Sequence, residues 1–110
     1  MLSTAFIQPG KTERLKEWYR EVAERESEVL ETLDNEGVRQ EIAFIVPTEY
    51  GDMLAVFAEV EDLDRAREAF GASSFEIDRQ HRALMGEVTV GGAEGRTRVY
   101  PMYAFQTRRT

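Results

Sequence analysis

Cysteine is absent from the 110-residue sequence, which excludes a disulfide framework, a thiol nucleophile and a thiolate metal site. Long apolar runs are absent as well, so no stretch approaches the roughly 20 apolar residues of a membrane-spanning helix. The N-terminus lacks the basic region and apolar core of a signal peptide. We therefore expect a soluble, cytoplasmic protein in which residues 1–110 form a single domain with one modest core.

Lysine is scarce, with 2 lysines against 12 arginines, and the net charge of the chain is −7. The charge is uneven, because residues 1–95 hold all 21 acidic residues whereas residues 96–110 hold four arginines and no acid. Phosphate binding requires a basic surface, so nucleic acid is not an expected partner. Acid excess with little lysine fits a halophilic protein of a salty cytoplasm, and it fits equally an ordinary acidic protein from a GC-rich genome.

The stretch from Val38 to Val60 contains two strand-like runs around a turn at residues 47–52. Both parities of each run carry apolar side chains: Val38, Ile42, Phe44 and Val46 against Ala43 and Ile45, then Leu54, Val56, Ala58 and Val60 against Met53, Ala55 and Phe57. A hairpin with one solvated face would alternate apolar and polar residues. Both faces therefore require cover, and we expect helices on one face and a second copy of the chain on the other.

Caps, breakers and apolar periodicity predict the other elements. They are a strand over residues 3–8, one long helix from the N-cap Thr12 to the C-cap Gly37, a helix from the N-cap Asp62 to Gly71, a helix over residues 79–88 capped by Asp78, a mobile loop over 91–98, a last strand over 99–106 and a basic tail over 106–110. On the long helix, Glu26 projects near the centre of the apolar face, where an unpaired buried carboxylate would be costly.

The order strand, helix, strand, strand, helix, strand predicts an α+β fold of the ferredoxin-like βαββαβ type. Its four-stranded antiparallel sheet has the order 4-1-3-2 and carries the helices on one face. Pro47 and Pro101 agree with this order, because both fall on strands that it places at the sheet edges, where a missing N–H is tolerated. The open faces of two copies would then close on each other to form a dimeric α/β barrel.

Three segments carry a resemblance to a known family. They are the Pro9-Gly10-Lys11 entry to the long helix with Trp18, the run EVEDLDRAREAF at residues 59–70 and the run IDRQHR at residues 77–82. These segments resemble an uncharacterised domain-of-unknown-function family of the ferredoxin-like dimeric α/β-barrel type, over roughly residues 4 to 88. The resemblance implies the fold and no activity. More distant members of that barrel superfamily include cofactor-free monooxygenases, sugar mutarotases and haem-degrading enzymes, which hold small molecules between sheet and helices.

His81 is the only histidine and the only side chain with an unperturbed pKa near neutrality. Glu26 and His81 interrupt the apolar stripes of two helices that should cover the same sheet face. They would form a carboxylate–imidazole pair in a cleft, with His81 as acid or base. The alternative is that the helix end splays from the sheet, so that Glu26 reaches solvent and His81 is structural.

Trp18, Tyr19 and Tyr103 would line such a cleft, although aromatic residues on an apolar stripe more often belong to the core. Asp78 and His81 are spaced as two metal ligands, but no second histidine supports a metal site. The Gly91-Gly92 pair lacks the strand and helix context of a phosphate cradle, and no cofactor is expected.

The sequence is compatible with two functions. One is a homodimeric module that binds a small molecule or another partner. The other is a cofactor-free small-molecule enzyme, similar to a monooxygenase or a mutarotase, that uses His81 as acid or base.

Overall fold

The computed structural model describes residues 1–107, and this part of the chain forms an α+β fold. Its elements are β1 (Leu2–Phe6), α1 (Thr12–Glu24), α2 (Glu26–Glu36), β2 (Val38–Thr48), β3 (Gly51–Val60), α3 (Leu63–Ala72), α4 (Glu76–Val88), a 3-10 helix (Gly92–Gly95) and β4 (Thr97–Val99). Within residues 1–107, no helix combines the length and the apolar character needed to cross a bilayer.

The four strands form one antiparallel sheet in the order β2-β3-β1-β4, which is the predicted 4-1-3-2 order. β3 lies at the centre, and its Phe57 stands opposite Leu2 of β1 and Ile42 of β2. The predicted hairpin of β2 and β3 is confirmed, as is the placement of the first hairpin strand and the last strand at the edges. The α+β class with a four-stranded antiparallel sheet is therefore confirmed.

One face of the sheet and the helices enclose the hydrophobic core. Because side chains alternate along a strand, Leu54 and Val56 of β3 point to the helices together with Ala5 of β1. They pack with the buried side chains of the helices, namely Leu15, Trp18, Ile77, Leu84 and Val88. The core thus depends on the inner parity of the hairpin, as its sequence predicts.

The other face of the sheet carries no helix and is apolar. Its exposed large side chains, which we call the open face, are Phe6, Ile42, Phe44, Val46, Phe57 and Val99. Phe44 is the most exposed of them, at 49%. Isolated exposed apolar residues are common on proteins, whereas a contiguous patch of this kind indicates an interaction surface.

The prediction of one continuous helix up to Gly37 is wrong, because the chain breaks at Arg25 between α1 and α2. Arg25 has φ −109° and ψ 44°, and its N–H bonds to the carbonyl oxygen of Val22. The break changes the helical phase, so that Val29 and Thr32 face inward while Glu26 is exposed. An exposed Glu26 avoids the cost of burying a carboxylate, which a continuous helix would have incurred.

The prediction that Asp78 caps its helix is also wrong. α4 begins at Glu76, and its N-cap is Phe75, so Asp78 lies inside the first turn. The Asp78 side chain is 4% exposed and points into the protein.

Of the other predicted caps, Thr12 is wrong as well, because α1 begins at Thr12 itself and its N-cap is Lys11. Gly37 is the C-cap of α2, as predicted. Asp62 is the N-cap of α3, as predicted, and its carboxylate accepts a hydrogen bond from the Arg65 N–H at 3.1 Å.

The end of the chain differs from the predicted loop and strand. The 3-10 helix lies within residues 91–98, and a side chain at Gly95 would place its Cβ 1.9 Å from the Val90 carbonyl oxygen. β4 pairs with β1 only at residues 97–99, and residues 100–107 contain no strand, so the predicted strand over 99–106 is wrong. The Pro101 nitrogen cannot donate to a ladder, which explains why pairing does not continue. Arg108 and Arg109 of the predicted basic tail lie outside the described residues.

Candidate functional site

A cavity of about 180 Å³ lies between the inner sheet face and the helices. Its walls are mostly apolar and include Val22, Val29, Val56, Val60, Leu63 and Phe70. The polar groups of the cavity wall come mainly from α1, α2, β2, α4 and the segment before β4. An apolar pocket with a few convergent polar groups is the usual form of a small-molecule site.

His81 of α4 and Trp18 of α1 both line this cavity and are in direct contact. The Trp18 indole Nε1–H donates a hydrogen bond of 2.8 Å to His81 Nδ1. Because Nδ1 accepts, a neutral His81 carries its proton on Nε2. Burial, and secondarily the charge of Arg96, lowers the pKa of His81 to about 4. At neutral pH, His81 is therefore an uncharged ring whose Nε2–H is a donor.

Three aromatic rings surround the His81 imidazole. Its ring centroid lies 5.9 Å from that of Trp18, 6.3 Å from that of Tyr19 and 5.9 Å from that of Phe70. These neighbours fix the orientation of the ring and keep water from it. The arrangement explains why the imidazole stays neutral, since a charged ring would lose its hydration.

Glu36 and Asp78 meet at the hydroxyl group of Thr32. Thr32 Oγ1 lies 3.1 Å from Glu36 Oε1 and makes a short contact with Asp78 Oδ2. Ser73 Oγ donates a second hydrogen bond to Asp78 Oδ2, at 2.5 Å. A threonine hydroxyl has one hydrogen, so it can donate to only one of the two carboxyl groups. If Thr32 donates to Asp78, a protonated Glu36 completes the chain by donating to Thr32.

The surroundings of Glu36 favour that protonated form. Burial, followed by the charge of Asp78, raises the pKa of Glu36 to about 7. Glu36 is 8% exposed, and Thr32 and Asp78 are buried as well. Thr32 and Glu36 lie on the inner side of α2, and Asp78 lies in the first turn of α4. The break at Arg25 orients α2 so that the three side chains meet. They form a proton-sharing chain, Glu36–Thr32–Asp78, at one end of the cavity.

Tyr19, Glu41, Arg67 and Arg96 also line the cavity, as does Met1, whose N-terminal ammonium donates to the Ala58 carbonyl oxygen. Burial, followed by the charge of Glu41, raises the pKa of Tyr19 to about 12, so its hydroxyl keeps its proton. Glu41 belongs to the edge strand β2 and is exposed as a residue, yet burial of its carboxyl group at the cavity wall raises its pKa. Arg96 Nη2 donates to Ser3 Oγ at 3.1 Å, which holds the arginine beside β1.

The comparison with protein families gives one match. A model described as a family of unknown function, DUF6176, matches residues 1–110. The chain belongs to the DUF6176 family. The predicted membership of an uncharacterised family is thereby confirmed, and the match extends over the whole chain rather than over residues 4 to 88 alone. Neither the search of curated proteins nor the search of solved structures found a match.

The structure of this DUF6176 protein brings together three of the predicted site residues. His81, Trp18 and Tyr19 all line the cavity. Glu26 does not join them, because it is exposed in the first turn of α2, and His81 is bonded to Trp18 instead. Tyr103 lies in the segment after β4, is 76% exposed and is not part of the cavity wall.

Sequence reasoning missed the carboxyl groups that this DUF6176 protein places in the cavity. Thr32 and Glu36 are four residues apart on α2, so they lie on the same side of that helix. Asp78 precedes His81 by three residues and shares its face of α4. Both spacings are visible in the sequence, but the assumed phase of one continuous helix directed attention to Glu26. Among the side chains that the structure describes, no three His, Asp or Glu residues assemble as metal ligands.

Proposed function

We propose that this protein binds a small, largely apolar molecule in the cavity between its sheet and its helices. The observation that supports the proposal is the combination of apolar walls with a polar end made of Glu36, Asp78 and His81. A dry packing defect is lined by apolar groups, whereas this cavity has polar groups at one end. Buried polar groups that converge on one cavity are costly to fold around, and they commonly serve a ligand.

The size of the cavity limits the ligand. An engineered protein cavity of about 150 Å³ holds one benzene molecule. The cavity here, at about 180 Å³, suits a single ring with a short substituent. The ring would lie against Trp18 and Phe70, and the substituent would reach the polar end.

The proposal also includes a homodimer in the form of a ferredoxin-like dimeric α/β barrel. Its support is the open face, where six exposed apolar side chains stand on the sheet side opposite the helices. A second copy presents the same apolar patch, which suits the self-complementary contact of a two-fold dimer. About 800 Å² per subunit is typical of a stable interface, so the proposed dimer should bury an area of that order.

Trp18 offers a direct test of ligand binding, because it is the only tryptophan and lines the cavity. Titration with benzyl alcohol should change the Trp18 fluorescence in a saturable manner. Ala66→Leu places a larger side chain in the cavity wall and should abolish the change, whereas Ala83→Leu, at an exposed position of α4, should preserve it. An identical response in the Ala66→Leu variant would mean that the probe binds elsewhere.

A cofactor-free enzyme is the second candidate, and Glu36 favours it. An acid–base catalyst works best when its pKa is close to the working pH. The pKa of Glu36 is raised to about 7, whereas that of His81 is lowered to about 4 and its Nδ1 is occupied by Trp18. The proton-transfer role that the sequence suggests for His81 is therefore better suited to Glu36, with His81 orienting the substrate through Nε2–H.

A further inference from the structure

The formal charges that border the cavity balance each other. The acids are Glu36, Glu41 and Asp78, and the cations are Arg67, Arg96 and the N-terminal ammonium of Met1. A charged ligand would lose its hydration in a cavity whose walls are mostly apolar and whose lining has no net charge to compensate it. The cavity therefore suits a neutral ligand, and hydrogen bonds decide which one.

His81 has a donor that the described residues do not use. The Trp18 indole nitrogen can only donate, so its 2.8 Å contact requires a lone pair on His81 Nδ1 and leaves the hydrogen of the neutral ring on Nε2. Every fully buried side-chain nitrogen and oxygen that the structure describes has a hydrogen-bond partner. Nε2 has none among these residues, so it is open to a water-sized molecule. Because His81 lines the cavity, this donor is available to a ligand there.

Tyr19 supplies a second uncharged donor. It lines the same cavity, and its ring centroid lies 6.3 Å from that of His81. Its hydroxyl group bonds to no described residue, and by the same reasoning it is open to a small molecule. The charges of Glu41 and Arg96, which also border the cavity, act on the pKa of this hydroxyl group, so it lies on the cavity side of the ring. Burial raises that pKa to about 12, so the hydroxyl group keeps its proton.

We propose that the cavity binds a neutral aromatic compound through a carbonyl oxygen, which accepts hydrogen bonds from His81 Nε2–H and Tyr19 O–H. This inference rests on the proposed binding function and specifies its ligand class. A carbonyl oxygen has two lone pairs and no hydrogen, so it can satisfy two donors and requires no acceptor in return. A hydrocarbon in the same place would separate both donors from water without pairing them, which is costly.

The neighbours of His81 hold its donor in position for such a ligand. The ring centroids of Trp18 and Phe70 each lie 5.9 Å from that of the imidazole, and the indole hydrogen bond excludes the other neutral form of the ring. A donor that is already oriented loses little conformational freedom on binding. The same two aromatic rings provide apolar surface for the ring of the ligand.

Acetophenone and α-methylstyrene are a matched pair of probes, because they have nearly the same shape and differ in a carbonyl oxygen against a methylene group. In NMR titrations of the full chain, both should shift the Trp18 indole N–H in a saturable manner, since both fit the cavity. Acetophenone should also move the His81 Nε2 proton downfield, as expected when this proton enters a hydrogen bond. α-Methylstyrene cannot accept a hydrogen bond and should not move it downfield.

Tyr19→Phe removes the second donor and keeps the aromatic ring. It should weaken acetophenone binding about fivefold, the effect of one neutral hydrogen bond, and leave α-methylstyrene binding within about twofold. The effect of the variant is measured separately for each probe, so the different hydration of the two probes does not enter the comparison. Tyr103→Phe removes a hydroxyl group from a 76% exposed side chain outside the cavity wall and should change neither affinity. If Tyr19→Phe does not fold, the His81 Nε2 proton of the unmodified protein still decides the question.

The outcomes separate this inference from the proposed function. Identical shifts of the His81 Nε2 proton with the two probes, or equal effects of Tyr19→Phe on both affinities, would overturn the carbonyl inference and leave binding in the cavity intact. Tighter binding of benzoate than of acetophenone would overturn it in favour of an anionic ligand. Failure of both probes to shift the Trp18 indole N–H would overturn the inference together with the proposed binding function.

Discussion

At the scale of single residues, Glu36 and His81 are the two side chains that burial shifts most strongly toward their uncharged forms. Burial raises the pKa of the acid and lowers the pKa of the base. Both effects have the same origin, since a cavity with apolar walls disfavours any charge. The polar end of the cavity is thus arranged to be mostly uncharged in the free protein, apart from Asp78, which two hydroxyl groups stabilise.

The two groups predict opposite dependences of stability on pH. The pKa of Glu36 is raised from 4.5 to about 7, so its contribution is complete below pH 4.5 and is lost as the pH rises through 7. The pKa of His81 is lowered from 6.5 to about 4, so its contribution is complete above pH 6.5 and is lost as the pH falls through 4. Between pH 4.5 and 6.5 the two contributions offset each other in the unmodified protein.

Removing either group should reveal the other. From pH 6.5 to 4.5, relative to the unmodified protein, Glu36→Gln should lose stability and His81→Asn should gain it, each by up to about 2–3 kcal/mol. Asparagine is chosen for position 81 because its carbonyl oxygen can still accept from Trp18. The check is chemical denaturation at fixed protein concentration across this pH range. Parallel curves for the two variants would show that the cavity does not perturb these groups in opposite directions.

At the scale of elements, the sequence predicted the sheet better than the helices. Apolar residues on both parities of β2 and β3 predict the hairpin independently of the rest of the chain. Glycine and proline residues predict where its strands begin and end. No residue between Thr12 and Gly37 is a helix breaker, so nothing local announces the break at Arg25. The break depends on tertiary packing, since it allows Thr32 to contact Asp78 while Glu26 remains exposed. The site was mispredicted for this reason.

The confirmed N-cap of α3 supports one prediction at this scale. α3 supplies Leu63, Ala66 and Phe70 to the cavity wall, and the Asp62 carboxylate satisfies the N–H of Arg65 in its first turn. Asp62→Ala should lower the free energy of unfolding by about 1 kcal/mol, because this N–H loses its partner. Asp62→Asn keeps a side-chain oxygen and should lose much less, as urea denaturation would show. Equal losses in the two variants would mean that the charge of Asp62, rather than its cap, stabilises the helix.

At the scale of the whole molecule, the sheet has one covered face and one open face. The sequence predicted this division from the hairpin alone, because helices of one chain can cover only one side. It could not predict where the chain leaves the sheet, since three paired residues in β4 depend on the register with β1. After β4, the large side chains Tyr100, Met102, Tyr103 and Phe105 are exposed. They add to the exposed apolar surface of the described chain.

The proposed dimer predicts a response that is specific to the open face. Phe44→Glu introduces a charge on the open face, at its most exposed side chain, and should convert the protein to a monomer of 12.6 kDa. Leu30→Glu makes the same change at a 57% exposed position of α2, on the other side of the molecule, and should leave the dimer intact. Light scattering at micromolar concentration measures the mass. A monomeric unmodified protein, or dissociation by Leu30→Glu alone, would contradict the proposed arrangement.

Binding of a small molecule in the cavity beside His81 and Glu36 can be observed by NMR, because the chain contains a single tryptophan and a single histidine that are hydrogen-bonded to each other there. During titration with benzyl alcohol, the Trp18 indole N–H and the His81 ring nitrogens should shift in a saturable manner, while the amides of Ile42 and Phe44 on the open face stay unchanged. Saturable shifts on the open face with none at Trp18 and His81 would contradict binding in the cavity.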